Sequence, residues 1–140
     1  MILGVGLDIV DVAAFARQLD DPASAFAVGV FTDAERQLAH SRPGTTPALH
    51  LAGRFAAKEA FIKAWSTARF GHAPALDHLD LREVEVIADP HRRPALITHG
   101  EVAAALAELG ATRLHLSISH DGGTAAAVVI LEQLPRRATP

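Results

Sequence analysis

Residues 2–10, ILGVGLDIV, are apolar apart from two glycines and one aspartate, the pattern of a buried strand. Alternation places Gly4, Gly6 and Asp8 on one face, and the missing glycine side chains leave room beside Asp8. DVAAFARQL repeats Val12, Phe15, Ala16 and Leu19 at helical spacing, with Asp11 as cap, Arg17 pointing outward and DDP at 20–22 as the stop. After a short apolar segment, Thr32 and Glu35 in FTDAERQLA form a capping box at the start of another helix. SRPGTTP, 41–47, reads as a loop, and the longest helix is predicted from Pro47 to Phe70, closed by Gly71 and Pro74. Strands are predicted at 82–88 and 94–99 around the turn DPHRR, then a helix in EVAAALAELG stopped by Gly110. RLHLSIS and TAAAVVILE follow as strands joined by the hairpin turn HDGG.

This order predicts an α+β fold, a small antiparallel sheet packed with a long central helix and shorter helices. One domain is expected over residues 1–134, with 135–140 a frayed tail; no repeat, low-complexity block or linker interrupts it. A chain of 140 residues that is 49% hydrophobic can bury a core of its own. Without cysteine there is neither a disulfide framework nor a thiolate metal site, which suits a reducing cytoplasm. Asp8 interrupts the N-terminal apolar run and no basic segment precedes it, so no signal peptide or membrane span is expected. A formal charge of -3 argues against nucleic acid or acidic lipid as a partner. The only lysines, Lys58 and Lys63, both lie in the long helix.

That helix carries RFAAKEAFIKAW, in which Ala57, Ala60, Phe61, Ala64 and Ala68 form one apolar stripe. Glu59 and Lys63 fall opposite, flanked by Phe55 and Ile62, so the pair is expected to be half-buried. One reading is an ordinary i,i+4 ion pair. The other joins Glu59 to Asp8: a carboxylate inside an apolar strand needs a helix-cap role, a partner or a cation. Two carboxylates, water and substrate phosphate oxygens would suit magnesium, with Lys63 as a positive charge for that phosphate. His120, in SISHDGG, sits where a strand enters a turn and is placed to reach an anion with Asp121 orienting it, or is simply part of a polar hairpin tip. The other histidines show no paired metal-ligand spacing and read as surface or structural. GVGLDI lacks the third glycine of a dinucleotide fingerprint, and no GxxxxGK phosphate loop occurs.

In order and spacing, GVGLDIV, RFAAKEAFIKA and LSISHD resemble the holo-acyl-carrier-protein synthase family, small phosphopantetheinyl transferases, and FTDAERQLA matches the helix before the family's loop. The resemblance covers nearly the full chain and implies the phosphopantetheinyl transferase fold. It implies transfer of 4'-phosphopantetheine from coenzyme A to a serine of an apo-acyl carrier protein, releasing 3',5'-ADP, for fatty acid or polyketide biosynthesis. By the same resemblance, Asp8 and Glu59 hold magnesium, Lys63 contacts the phosphates, and Arg54 and His120 lie near the ribose phosphate of coenzyme A. Lys58 helps neutralise phosphate or faces solvent, and Asp121 belongs to the same binding turn. Glu59, directly or through a metal-bound water, is expected to take the proton of the attacking serine. The family's homotrimer sets the SISHD turn of one subunit beside the carboxylates of another.

Two departures stand out. Where family members often present several basic residues to an acidic carrier, the helix after the first strand offers only Arg17, so docking is expected either to be weak or to use Arg36 and Arg42 as well. The glycine commonly found before the proline of the first hairpin is replaced in HRRP by Arg93, which leaves that turn's geometry open. Two rival readings are a non-catalytic module that binds coenzyme A or a carrier domain, and an excised domain of a large synthase. Retention of Asp8, Glu59 and Lys63 together argues against the first, and the Met1 start and polar end are expected of a standalone chain.

Overall fold

The structure, a computed structural model, describes residues 1–110 and 113–135. Of the expected frayed tail, residues 136–140 lie outside those described. Strand β1 (Ile2–Asp11) leads into α1 (Val12–Asp20), a short α2 (Phe26–Val30), α3 (Asp33–Ser41) and the long α4 (Pro47–Ala68). A 3-10 turn at Leu81–Glu83 then precedes the hairpin β2 (Val84–Ala88) and β3 (Pro94–Thr98), helix α5 (Gly100–Leu109), and the hairpin β4 (Arg113–Asp121) and β5 (Thr124–Glu132).

The local signals explain the boundaries. Asp11 accepts from the backbone N–H of Ala14 at the start of α1, and Thr32 and Glu35 form the reciprocal capping box of α3. Thr46 caps α4 with Pro47 in its first turn, and Gly110 ends α5 in the left-handed conformation. Helix α2 was not expected: its five residues carry no side-chain cap and too few turns for a periodic signal.

The strands form two antiparallel sheets, one of order β1-β5-β4 and the separate pair β2-β3, where the sequence suggested one. Helix α4 crosses one face of the three-stranded sheet. Its Ala56, Ala57, Ala60, Phe61 and Ala64 are buried with Val84, Val86, Val102, Val129 and Leu131. A second cluster gathers Phe15, Phe26, Phe31 and Phe55, with Phe15 stacked on Phe55 at 5.6 Å between ring centroids.

The other face of this sheet is uncovered in the single chain. Val5, Leu7 and Ile9 are 50%, 57% and 69% exposed, so β1 is buried on one side only and not throughout as its apolar run suggested. The glycine face also differs from expectation. A Cβ on Gly4 would stand 2.0 Å from the carbonyl oxygen of Ala64, and one on Gly6 1.9 Å from that of Ala60. The space those glycines leave is therefore filled by the backbone of α4, not open for a ligand. This close approach brings the charged face of α4 to Asp8.

Candidate active site

Three of the predicted residues meet at the β1–α4 crossing. Lys63 Nζ donates to Asp8 Oδ1 at 2.8 Å and to the Leu7 carbonyl oxygen at 3.1 Å. Lys63 therefore pairs with the strand carboxylate, and the simple i,i+4 pair with Glu59 does not form. Glu59 is half-buried at the same place. Burial pushes its carboxyl pKa up, the negative charge of Asp8 pushes it further, and Lys63 opposes both. A carboxylate with raised proton affinity, a second carboxylate and an ammonium thus share one partly open site.

No group of three or more His, Cys, Asp or Glu side chains that could hold a metal occurs among the described residues. A full protein cage is absent there, but the site's two carboxylates fit a hard cation that takes its remaining oxygens from water and phosphate. Burial first, and the Asp8 charge second, raise the Glu59 pKa, and a cation between the two carboxylates would offset both effects.

Arg54 and His120 come together elsewhere, in a pocket of about 310 Å³ that Arg42, His50, Gly53 and Arg92 also line. Arg54 is only 8% exposed; burial and the nearby Arg42 lower its pKa to about 10 against the attraction of Glu35. Its Nη1 donates to the His50 carbonyl oxygen at 3.4 Å, while its Nε has no partner. The buried His50 ring is held at a pKa of about 4 by burial, Arg54 and Arg42, and its Nε2 is also unpartnered. Among the described residues, none of Arg42, Arg54 and Arg92 forms a salt bridge. Guanidiniums without carboxylate partners beside unpartnered buried nitrogens make an anion site.

Sequence reasoning missed three residues of this pocket. His50 reads from the sequence as surface or structural, although its i,i+4 spacing to Arg54 is a usable signal. Arg42 reads from the sequence as an aid to carrier docking, and Arg92 depends on a turn conformation that no periodicity reveals. Among the described residues, no hydrogen bond joins Asp121 to His120, so Asp121 does not orient that ring; it is exposed at the hairpin tip. Arg17 is exposed on α1, and Arg36 is paired with Asp33.

Lys58 lies far from where the sequence places it. It faces neither phosphate nor solvent: it is fully buried and donates to Glu35 Oε2 at 2.8 Å, the Val30 carbonyl at 2.8 Å and the Leu81 carbonyl at 2.9 Å. Burial lowers its pKa and Glu35 pulls back. Glu35 also accepts from the backbone N–H groups of Thr32 and Val86, so this pair ties α3, α4 and β2 together. Neighbouring positions on a helix differ by about 100°, which sends Lys58 inward while Glu59 reaches the β1 crossing.

A family model described as the 4'-phosphopantetheinyl transferase superfamily matches residues 4–129. The chain belongs to this superfamily. A holo-[acyl-carrier-protein] synthase of Mycobacterium ulcerans is 47% identical over 131 residues, covering 94% of this chain and 97% of that protein. Among solved structures, an ACPS-CoA complex from Chronobacterium ammoniagenes is 46% identical with a TM-score of 0.85, covering 94% and 97% of the two chains. The acyl carrier protein synthase of Mycobacterium tuberculosis is 42% identical with a TM-score of 0.76, covering 96% and 100%. The transferase fold expected from the sequence is the one found, and the chain is an enzyme of the phosphopantetheinyl transferase type. Among the described residues, no helix is long and apolar enough to cross a membrane.

Proposed function

We propose that this protein transfers the 4'-phosphopantetheine group of coenzyme A to a serine of an apo-acyl carrier protein, with residues 1–134 as one catalytic unit. The observation that carries the reading is the meeting of Asp8, Glu59 and Lys63 at the β1–α4 crossing. The serine oxygen attacks the phosphorus that bears pantetheine, the P–O bond to the adenosine half breaks, and 3',5'-ADP leaves. Glu59, its proton affinity raised by burial and Asp8, accepts the serine proton. Lys63, held by Asp8, sets a fixed positive charge beside the pyrophosphate. Asp8 and Glu59 would hold magnesium, which when bound neutralises charge on the pyrophosphate oxygens. The basic pocket of Arg54 and His120 takes the ribose-phosphate end.

Arg54 and Glu59 are five positions apart on α4, about 140° around the helix, so the carboxylates and the basic pocket flank opposite sides of it. We read these as halves of sites completed between subunits of a homotrimer. The exposed Val5, Leu7 and Ile9 supply an apolar face for that assembly. The exposed Arg17 contributes to docking an acidic carrier. A cysteine-free chain acting on coenzyme A fits the cytoplasm.

Glu59→Gln tests the assignment by intact-mass spectrometry of an apo-carrier. The account predicts at least about a hundredfold loss of transfer, with an unchanged circular dichroism spectrum. Turnover at the wild-type rate sinks it.

A further inference from the structure

Among the described residues, Arg92 is the only non-glycine with a left-handed backbone, at φ 66°. An L side chain is disfavoured there, whereas glycine adopts this conformation freely. The residue at the expected irregular position, Arg93, has ordinary backbone instead. The turn holds Arg92 in place through Asp89. Its Oδ1 accepts from the backbone N–H groups of His91 and Arg93, both at 2.9 Å, and its carbonyl from that of Arg92 at 2.9 Å. Asp89 Oδ2 also takes Arg93 Nε at 2.6 Å, so the two arginines divide the work: Arg93 is neutralised within the turn, and Arg92 is not.

The strained position lines the basic pocket with Arg42, Arg54 and His120, where no salt bridge offsets the three guanidiniums among the described residues. Such an excess of charge matches an anion carrying more than one negative charge. Backbone strain maintained by surrounding bonds, on a residue facing a ligand pocket, is a feature expected of functional positions. We infer that Arg92 is a specificity-determining residue, held in a strained turn so that its guanidinium selects a ligand bearing a phosphate monoester on its ribose over the same ligand without it. This rests on the coenzyme A reading above, and adds to it the residue that distinguishes the two phosphorylation states.

The test is calorimetric titration of the full chain with adenosine 3',5'-bisphosphate and with adenosine 5'-phosphate, paired with thermal unfolding. Arg92→Gly is expected to weaken the bisphosphate by about tenfold, the worth of one charge-assisted hydrogen bond, and to leave the monophosphate within twofold. Its Tm should equal or exceed that of wild type, because glycine relieves the left-handed strain. Arg92→Lys should retain most of the discrimination, and Arg93→Ala should retain all of it. Equal bisphosphate affinity in wild type and Arg92→Gly, or an equal loss for both nucleotides, overturns the inference while leaving the transferase reading intact. A lower Tm overturns the strain argument. Failure of the wild-type chain to bind either nucleotide removes the coenzyme A reading and this inference with it.

Discussion

Replacing Gly6 with alanine should damage stability and transfer together. The new Cβ would lie 1.9 Å from the Ala60 carbonyl oxygen and 2.5 Å from the Ala64 nitrogen, both backbone atoms of α4. Side-chain carbons essentially never approach other heavy atoms closer than 3.0 Å, so helix and strand must separate by about 1.1 Å at least, the difference between those distances. No side chain can swing aside to absorb this. Overpacking costs roughly 1 to 3 kcal/mol even where side chains yield, and a clash of a Cβ with helix backbone that cannot rotate away belongs at the upper end, about 3 kcal/mol. For a chain of this size that lowers Tm by about 10 °C. The same movement carries Glu59 and Lys63 away from Asp8, and a misplacement of about 1 Å at a reacting centre is worth about a hundredfold in rate. Urea denaturation measures the first effect, and carrier mass gain under conditions where the variant is folded measures the second. Gly29→Ala is the control, because a Cβ there meets nothing within 4 Å. Wild-type stability and turnover in Gly6→Ala would refute the claim that close backbone packing builds the site.

Lys58→Met strands Glu35 in the core and should cost about 3 to 5 kcal/mol, partly recovered by adding Glu35→Gln; coenzyme A affinity of the folded fraction, read by calorimetry, should stay within twofold. The folded His50 pKa of about 4 lies below its ordinary 6.5, so between those values the unfolded chain binds more protons and stability falls as pH drops. The loss should be on the order of 3 kcal/mol from pH 6.5 to 4, and His50→Leu should flatten that part of the urea-derived profile. Ile9→Asp should convert the proposed trimer to monomers in light scattering and abolish transfer, while changing single-chain stability by only about 0.5 kcal/mol; an assembly unchanged from wild type contradicts the use of this face.

How far the sequence could be read follows from which interactions are local. The capping box of Thr32 and Glu35 and the Gly110 stop lie within a few residues of the ends they specify, and all were legible. Glu59, Lys63 and Asp8 were legible because charge in apolar surroundings demands a partner. Lys58 was misread for a related reason: α4 is apolar on nearly every side, so its pattern does not tell which charge faces a core and which a site. The partner that settles Lys58 is Glu35, 23 positions away. Gly4 and Gly6 signalled close approach but not what approaches. The basic pocket draws on the loop before α4, the β2–β3 turn and β4, and only the folded chain brings Arg42, Arg92 and His120 together.

The most direct measurement is intact-mass spectrometry of an apo-acyl carrier protein incubated with the wild-type chain and coenzyme A, with magnesium and then with chelator. The account predicts a mass gain of one phosphopantetheine per carrier with the metal and none with the chelator. No gain across several carriers, from a chain that demonstrably binds coenzyme A, would contradict it and leave a binding module in its place.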